Sequence, residues 1–298
     1  MNDEKPRVEE FYDAVAGNYA DQYRRDQLVT GEEYPSNYFR LQILLNAFLS
    51  KGLKRVVEVG VGEGTPLATL ASAGIDVWGF DIAQKMVEQS KTRMSDIGRD
   101  PDHIFWGDIQ DPVTYVHCLR EGAFDGLMAM GVMPHVENDD QVIRNMATLV
   151  REGGSVFIEF RNKLFSLFTF NRYTYEFIMD DLLGDVDESV REVVSAAIKP
   201  RLAMDVPPLR DKVEGADAAG YDAILSKFHN PLEVPELFTK NGFSDVKLHW
   251  YHYHPAPPML ENQMPEQFRR AGIRLEHEPS GWRGLFLCSA FVVEAILD

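Results

Sequence analysis

The sequence predicts an α/β protein built on a doubly wound, mostly parallel sheet, and three observations carry that prediction. A β-branched run, Arg55-Val56-Val57-Glu58-Val59, closes on Gly60-Val61-Gly62-Glu63-Gly64 and then on a helix opener, Thr65-Pro66. Strand-like and helix-like stretches alternate from there to Phe160, which is the pattern of a parallel sheet with crossover helices. An acid, Asp81, ends the next strand-like run about 20 residues beyond the glycines, where a carboxylate can take two ribose hydroxyls.

The elements follow in order. Between residues 8 and 23 the spacing of Phe11, Tyr12, Val15, Tyr19 and Tyr23 is helical, with Gly17-Asn18 as a point of interruption. Residues 36–49 form a second helix with Leu41, Leu44, Leu45 and Phe48 on one face, ending at Lys51-Gly52. Val56, Val57 and Val59 suit a buried central strand. Gly60, Gly62 and Gly64 let the turn leave it with no Cβ between backbone and ligand, and Pro66 fits a first helical turn. The spacing is G-x-G-x-G, not the dinucleotide G-x-G-x-x-G. Glu58 and Glu63 beside this cradle would repel a pyrophosphate and suit a ligand carrying an amine or a sulfonium. After the second strand, residues 83–97 read as a helix stopped by Gly98. A third strand at 103–106 ends in Gly107-Asp108-Ile109, and 113–119 is open between helix and strand edge. A fourth strand at 124–131 exits through Val132-Met133-Pro134-His135-Val136. An amphipathic helix at 137–150, a turn at Gly153-Gly154 and a fifth strand at 155–160 complete the alternation.

The alternation then stops. Residues 161–230 hold helical stretches at 174–183 and 187–198 with turns at Gly184, Pro200 and Pro207-Pro208, and we read them as an inserted helical cap. Its aromatic start, from Phe165, Phe168 and Phe170 to Tyr173, Tyr175 and Phe177, is either cap core or a wall of a substrate pocket. Pro235 to Phe238 open a last helix, and 243–254 form a strand. There, strict alternation puts His249, Tyr251 and Tyr253 on one face and Trp250, His252 and His254 on the other. Only one i, i+2 histidine pair shares a face and no carboxylate stands nearby, so we assign no metal. His252 and His254 are either satisfied structural imidazoles or a strand end lining the substrate pocket. Residues 284–294 are a buried strand.

Taken together, these motifs resemble the class I S-adenosylmethionine-dependent methyltransferases over residues 11–160, with weaker support in the final sixty residues. The resemblance implies a Rossmann-like, mostly parallel seven-stranded sheet with an antiparallel edge strand. It also implies S-adenosyl-L-methionine as cofactor. Glu58 and the three glycines would lie at the methionine moiety, Asp81 at the ribose, Ile82 on one face of the adenine and Asp108 with Ile109 at its edge. Met130 would lie beside the methyl group. The Phe11-Tyr12-Asp13-x-x-Ala16-x-x-Tyr19 pattern resembles the N-terminal lid of many small-molecule members, with Tyr12 and Tyr19 closing over the cofactor. The expected organisation is a helical lid at 1–54, a cofactor domain at 55–160 and 231–298, and a cap at 161–230.

A formal charge of −17 argues against nucleic acid or an anionic membrane as substrate. Cys118 and Cys288, far apart in sequence, read as reduced residues of a cytoplasmic protein. The polar N-terminus and the lack of a long apolar run argue against a leader or a membrane span. Methyl transfer is an in-line displacement that needs its nucleophile oriented and can need a base. His135, just beyond the fourth strand, is the first choice as base; Arg161, Asn162, His252 and His254 are pocket residues. The expected activity is O- or N-methylation of a small metabolite, of the natural-product or sugar type by the family's habits. The oligomeric state is open, a homodimer among the options. A nicotinamide-dependent oxidoreductase and a non-catalytic binding protein on the same fold are the alternatives.

Overall fold

The computed structural model describes residues 7–16, 23, 28, 34–204, 211–215 and 218–298. Helix α1 (Val8–Val15) precedes α2 (Ser36–Lys51), which buries Leu41, Leu44 and Phe48. Helix α2 stops at Gly52, whose φ of 65° is left-handed and whose N–H meets the Leu49 carbonyl at 3.2 Å. Strand β1 (Arg55–Val59), α3 (Thr65–Ser72), β2 (Asp76–Asp81), α4 (Gln84–Asp96), β3 (Ile104–Trp106), β4 (Phe124–Ala129), α5 (Asp139–Ala147) and β5 (Val150–Arg161) then alternate. The open stretch before β4 forms two short 3-10 turns, Pro112–Thr114 and Val116–Glu121.

Beyond β5 come α6 (Arg172–Glu176), which runs on through a wider helical turn at Phe177–Leu182, and α7 (Glu188–Ile198). The chain returns to the sheet through residues 221–230. Along that return the His229 N–H donates to the Arg161 carbonyl at 2.8 Å and the Lys227 N–H to the Pro134 carbonyl at 2.9 Å. Helix α8 (Val234–Thr239), β6 (Phe243–Tyr253), α9 (Pro265–Leu275) and β7 (Cys288–Leu297) close the domain.

The strand order is β3-β2-β1-β4-β5-β7-β6. Neighbours from β3 to β5 pair parallel, and β7 pairs antiparallel with both β5 and β6. The final antiparallel pair thus closes one side of a seven-stranded, mostly parallel sheet, with β6 outermost and again parallel to β5. Period-two alternation sorts the core. Val57, Val59, Leu127 and Ile158 pack with Val142, Ile143 and Met146 of α5 on one face. Val56, Met128 and Phe157 pack with Leu44 and Phe48 of α2 and Leu67 of α3 on the other. No helix among the described residues is long and apolar enough to cross a membrane.

Three expectations change. Residues 284–287, read as the start of the last strand, form a short helix, and β7 begins only at Cys288. The fifth strand begins at Val150, and the expected turn at Gly153-Gly154 is a bulge within it. Its pairing steps from Phe124↔Val150 to Gly126↔Ser155, and a Cβ on Gly154 would come within 3.0 Å of the Asp125 carbonyl oxygen. In β6 the strict alternation fails at its end: His252 has a φ of 60°, and Tyr251 and Tyr253 join the cores on opposite faces. A left-handed residue between them turns the second side chain over.

Candidate active site

Strand order reverses between β1 and β4, so the crevice of this sheet opens at their carboxyl ends. The loop leaving β1 has Gly60, Gly62 and Gly64 at φ of 74°, 54° and 88°. A Cβ on Gly60 would stand 2.6 Å from Val132 Cγ2, and one on Gly64 would stand 2.5 Å from Ser90 Oγ. Side chains are therefore excluded by backbone conformation at all three positions and by neighbours at two. Asp81, at the end of β2, ties the cradle together. One carboxylate oxygen accepts from the Gly62 N–H at 2.9 Å and the other from the Ala83 N–H at 2.9 Å. Burial pushes its pKa up to about 6 against the pull of those N–H donors.

A cavity of about 520 Å³ lies over this loop. Its lining brings together Tyr12, Glu58, Gly60, Gly62, Asp81, Ile82, Asp108, Ile109, Met130 and His135. Gly64 shapes the loop from behind, at the N-terminus of α3, and Tyr19 lies outside the described residues. Glu58 is 1% exposed, and its Oε2 is buried without a hydrogen-bond partner. Burial pushes its carboxyl well above the usual range, and the Arg40 guanidinium pulls it back. A buried, unanswered carboxylate oxygen in the cavity wall fits the ammonium of an amino-acid moiety and opposes a pyrophosphate. Glu63 also lines the cavity, but its carboxylate is already engaged. It pairs with Arg93 and accepts from the Thr65 N–H at 3.1 Å, capping the first turn of α3. Asp108 accepts from the Gln110 N–H at 2.8 Å, and burial raises its pKa. Trp106 donates to the Ile82 carbonyl at 2.9 Å, holding that turn over the cavity. The glycine cradle, the acid pair Glu58 and Asp81, and the apolar Ile82, Ile109 and Met130 fit S-adenosylmethionine.

The far wall carries His135, in the short turn Met133–His135 after β4. Its Nδ1 lies 2.7 Å from the Leu225 carbonyl oxygen, which can only accept, so Nδ1 carries the proton. Burial lowers the histidine pKa to about 4, so the ring is neutral at neutral pH. Nε2 is left with a lone pair that accepts from the Tyr12 hydroxyl at 2.9 Å. A second polar group was not anticipated from the sequence. Arg40 of α2 donates to Glu159 of β5 at 2.5 Å and to the Tyr23 hydroxyl at 2.9 Å, with both partners of the ion pair almost wholly buried. The signal was present: Arg40 falls on the buried face with Leu41 and Leu44, and Glu159 interrupts an apolar strand.

The remaining sequence-derived residues sit apart from this cavity. Arg161 donates to Ser226 Oγ at 3.0 Å, with its guanidinium 4.5 Å from the Tyr221 ring centroid. Its charge is thereby spent on the returning segment. Asn162 is a backbone clamp: its amide donates to the Cys288 and Leu285 carbonyls at 2.8 and 2.9 Å, and its oxygen accepts from the Leu164 N–H. His252 stacks on Tyr34 at 5.2 Å, and His254 lies 4.7 Å from His252 and 4.6 Å from Phe165. Burial holds the pKa of both rings down.

Residues 57–158 match a family model described as a methyltransferase domain. Among curated relatives, a ubiquinone biosynthesis O-methyltransferase of Ralstonia nicotianae is 33% identical over 105 residues, covering 35% of this chain and 42% of that protein. The Bordetella avium protein of the same name is 29% identical over 126 residues, covering 42% of this chain and 50% of its own length. The chain thus spans about half the length of the curated relatives it matches. Among solved structures, an S-adenosylmethionine-dependent methyltransferase from Clostridium acetobutylicum superposes with a TM-score of 0.53 at 8% identity, over 94% of this chain and 98% of that one. A protein from Thermotoga maritima, described as a possible histamine N-methyltransferase, gives 0.50 at 14% identity over 96% and 100%. At such identities the superpositions speak for the fold.

Proposed function

We propose that this chain, whose residues 57–158 match a methyltransferase-domain model, is a class I S-adenosylmethionine-dependent methyltransferase that transfers a methyl group to a small-molecule acceptor, with oxygen as the favoured nucleophile. When bound, the cofactor supplies a methyl carbon on a sulfonium, which an acceptor lone pair takes while the sulfur keeps the bonding electrons. The chain's own residues have three tasks. Glu58 and Asp81 hold the cofactor's polar ends by charge-assisted hydrogen bonds. Ile82, Ile109 and Met130 keep water from its apolar face. His135 receives the proton that a hydroxyl must lose as it attacks, through Nε2 directly or by way of the Tyr12 hydroxyl.

The observation that carries this reading is the neutral His135, oriented by the Leu225 carbonyl and bonded to Tyr12, on the wall of the cavity that Glu58 and Asp81 also line. Oxygen is favoured because a hydroxyl needs such a base more than an amine does, and because the curated relatives carry the name O-methyltransferase. The natural-product or sugar-type acceptor is carried forward from the family resemblance. In the same reading the insertion caps the acceptor.

Calorimetric titration with S-adenosylmethionine, S-adenosylhomocysteine and NADH tests the cofactor. The two adenosyl ligands should bind and NADH should not; NADH alone, or none of the three, would end the proposal. Mass spectrometry of small hydroxylated acceptors incubated with methyl-labelled S-adenosylmethionine then tests transfer.

A further inference from the structure

We propose that the hollow beneath the insertion is a second ligand site, one that takes an organic cation with an apolar body. It encloses about 630 Å³, somewhat more than the cofactor cavity, and lies at the exit of β5 near the start of β7, with Asn162 and Ser289 in its floor. A cavity of this size suits a small organic ligand.

Its walls decide the chemistry. Phe165, Tyr173, Phe177 and Phe228 surround the space, with Met259 at the side. Phe228 and Met259 are 47% and 37% exposed, yet they turn toward one shared hollow, so an apolar body placed there would remove their surface from water. Aromatic faces carry negative charge density and attract a cation, most strongly when it is desolvated. The charged lining side chains point the same way: Glu176, Asp180 and Asp181 against Lys163 alone, and Lys163 is already paired with Asp181. Arg172 and Arg191 approach Glu176 and Asp180 at 3.1 and 4.0 Å from outside the lining, which steadies those carboxylates. An anion would meet ring faces and the lining carboxylates first, while the cations that offset those carboxylates, Arg172 and Arg191, stand outside the lining.

The returning segment divides this hollow from the first cavity. Leu225 lines the cofactor cavity, Phe228 lines the cap cavity, and Arg161 lies against the rings of Tyr221 and Phe228. The two sites therefore share a wall without sharing their ligand groups, and the cation site stands independently of the methyl-transfer reading.

Three matched probes test it by calorimetry on the full chain with the cofactor cavity filled by excess S-adenosylhomocysteine: phenylbutyl-trimethylammonium, phenylbutanol and phenylbutyrate. The cation should saturate a single site and bind about tenfold more tightly than the alcohol, with the carboxylate weakest. Joint replacement Glu176→Gln and Asp180→Asn, at partly or fully exposed positions, should shrink the preference of cation over alcohol to roughly threefold or less. Phe228→Ala should weaken both ligands, and S-adenosylhomocysteine affinity should stay unchanged in these variants. Equal binding of alcohol and cation, an undiminished preference in the double variant, loss of the cation signal when S-adenosylhomocysteine is present, or no saturation by any probe would overturn the proposal. If S-adenosylhomocysteine itself fails to bind while the cation does, the methyl-transfer reading falls and the cation site stands.

Discussion

At the ends of β1 to β4, the groups that face the first cavity come from the last residues of each strand or the few that follow: Glu58 and Gly60, Asp81, Asp108, Met130. At the far wall the groups that meet are distant in the chain. Tyr12 reaches His135 across 123 residues, Arg40 reaches Glu159 across 119, and the Leu225 carbonyl reaches His135 across 90. The first half is set by where a strand stops and which backbone angles its loop can hold. The second exists only when a helix, two strand exits and a returning segment have docked together. Damage to the first should therefore act on cofactor affinity, and damage to the second on turnover or on the fold.

The sharpest test of that division is His135→Ala. Turnover should fall about 100- to 10,000-fold, the usual range for a lost general base, while S-adenosylmethionine affinity stays near the parent value. A comparable loss of affinity would merge the two halves into one. Next in size is Arg40→Met, which leaves Glu159 buried without its cation. We expect a loss of about 3–5 kcal/mol in denaturant unfolding, most of it restored when Glu159→Leu is added. Asp81→Ala should weaken cofactor binding by about 10- to 100-fold, as for hydrogen bonds to a charged group, and lower the thermal midpoint as the Gly62 and Ala83 N–H groups lose their acceptor.

A pH series separates the halves without mutation. Asp81 has its pKa raised to about 6, and ribose hydroxyls need the ionised form as acceptor. Cofactor affinity should therefore hold above that pH and drop about tenfold per unit below it. His135 has its pKa lowered to about 4, so the base is still neutral where Asp81 has become protonated. Turnover at saturating cofactor should stay flat from neutral pH to about 5, whereas an ordinary histidine would lose its base form near 6.5. An inflection near 6.5 in that profile would remove the histidine assignment. The smallest effect is expected for Tyr12→Phe, about 1 kcal/mol in the turnover barrier for one neutral hydrogen bond.

Much of the first half was legible in the sequence because its signals are local. Three glycines at positive φ, an acid closing a β-branched strand and a second acid at the next strand end are all readable in one short window. Glu63 lines the cavity, as its place in the loop suggests, but only the packed structure shows Arg93 and the α3 cap that engage it. On the other side, Arg161 and Asn162 were placed by their strand exit alone. The returning segment and the backbone of β7 claim their polar atoms, and neither could be located before residues 161–230 were folded.

What the amino-acid order determined by itself, then, was the sheet, its mostly parallel sense and the cradle at β1. Periodicity, chain stiffness and the allowed backbone angles of glycine act over a few residues and do not wait for the rest of the chain. What only the tertiary structure decided was which buried charges find partners. Glu159 is answered by Arg40, His135 is oriented by Leu225 and Tyr12, and Glu58 keeps an oxygen with no partner. Burial makes an unpaired polar group costly, and the identity of its partner depends on which distant segment reaches it.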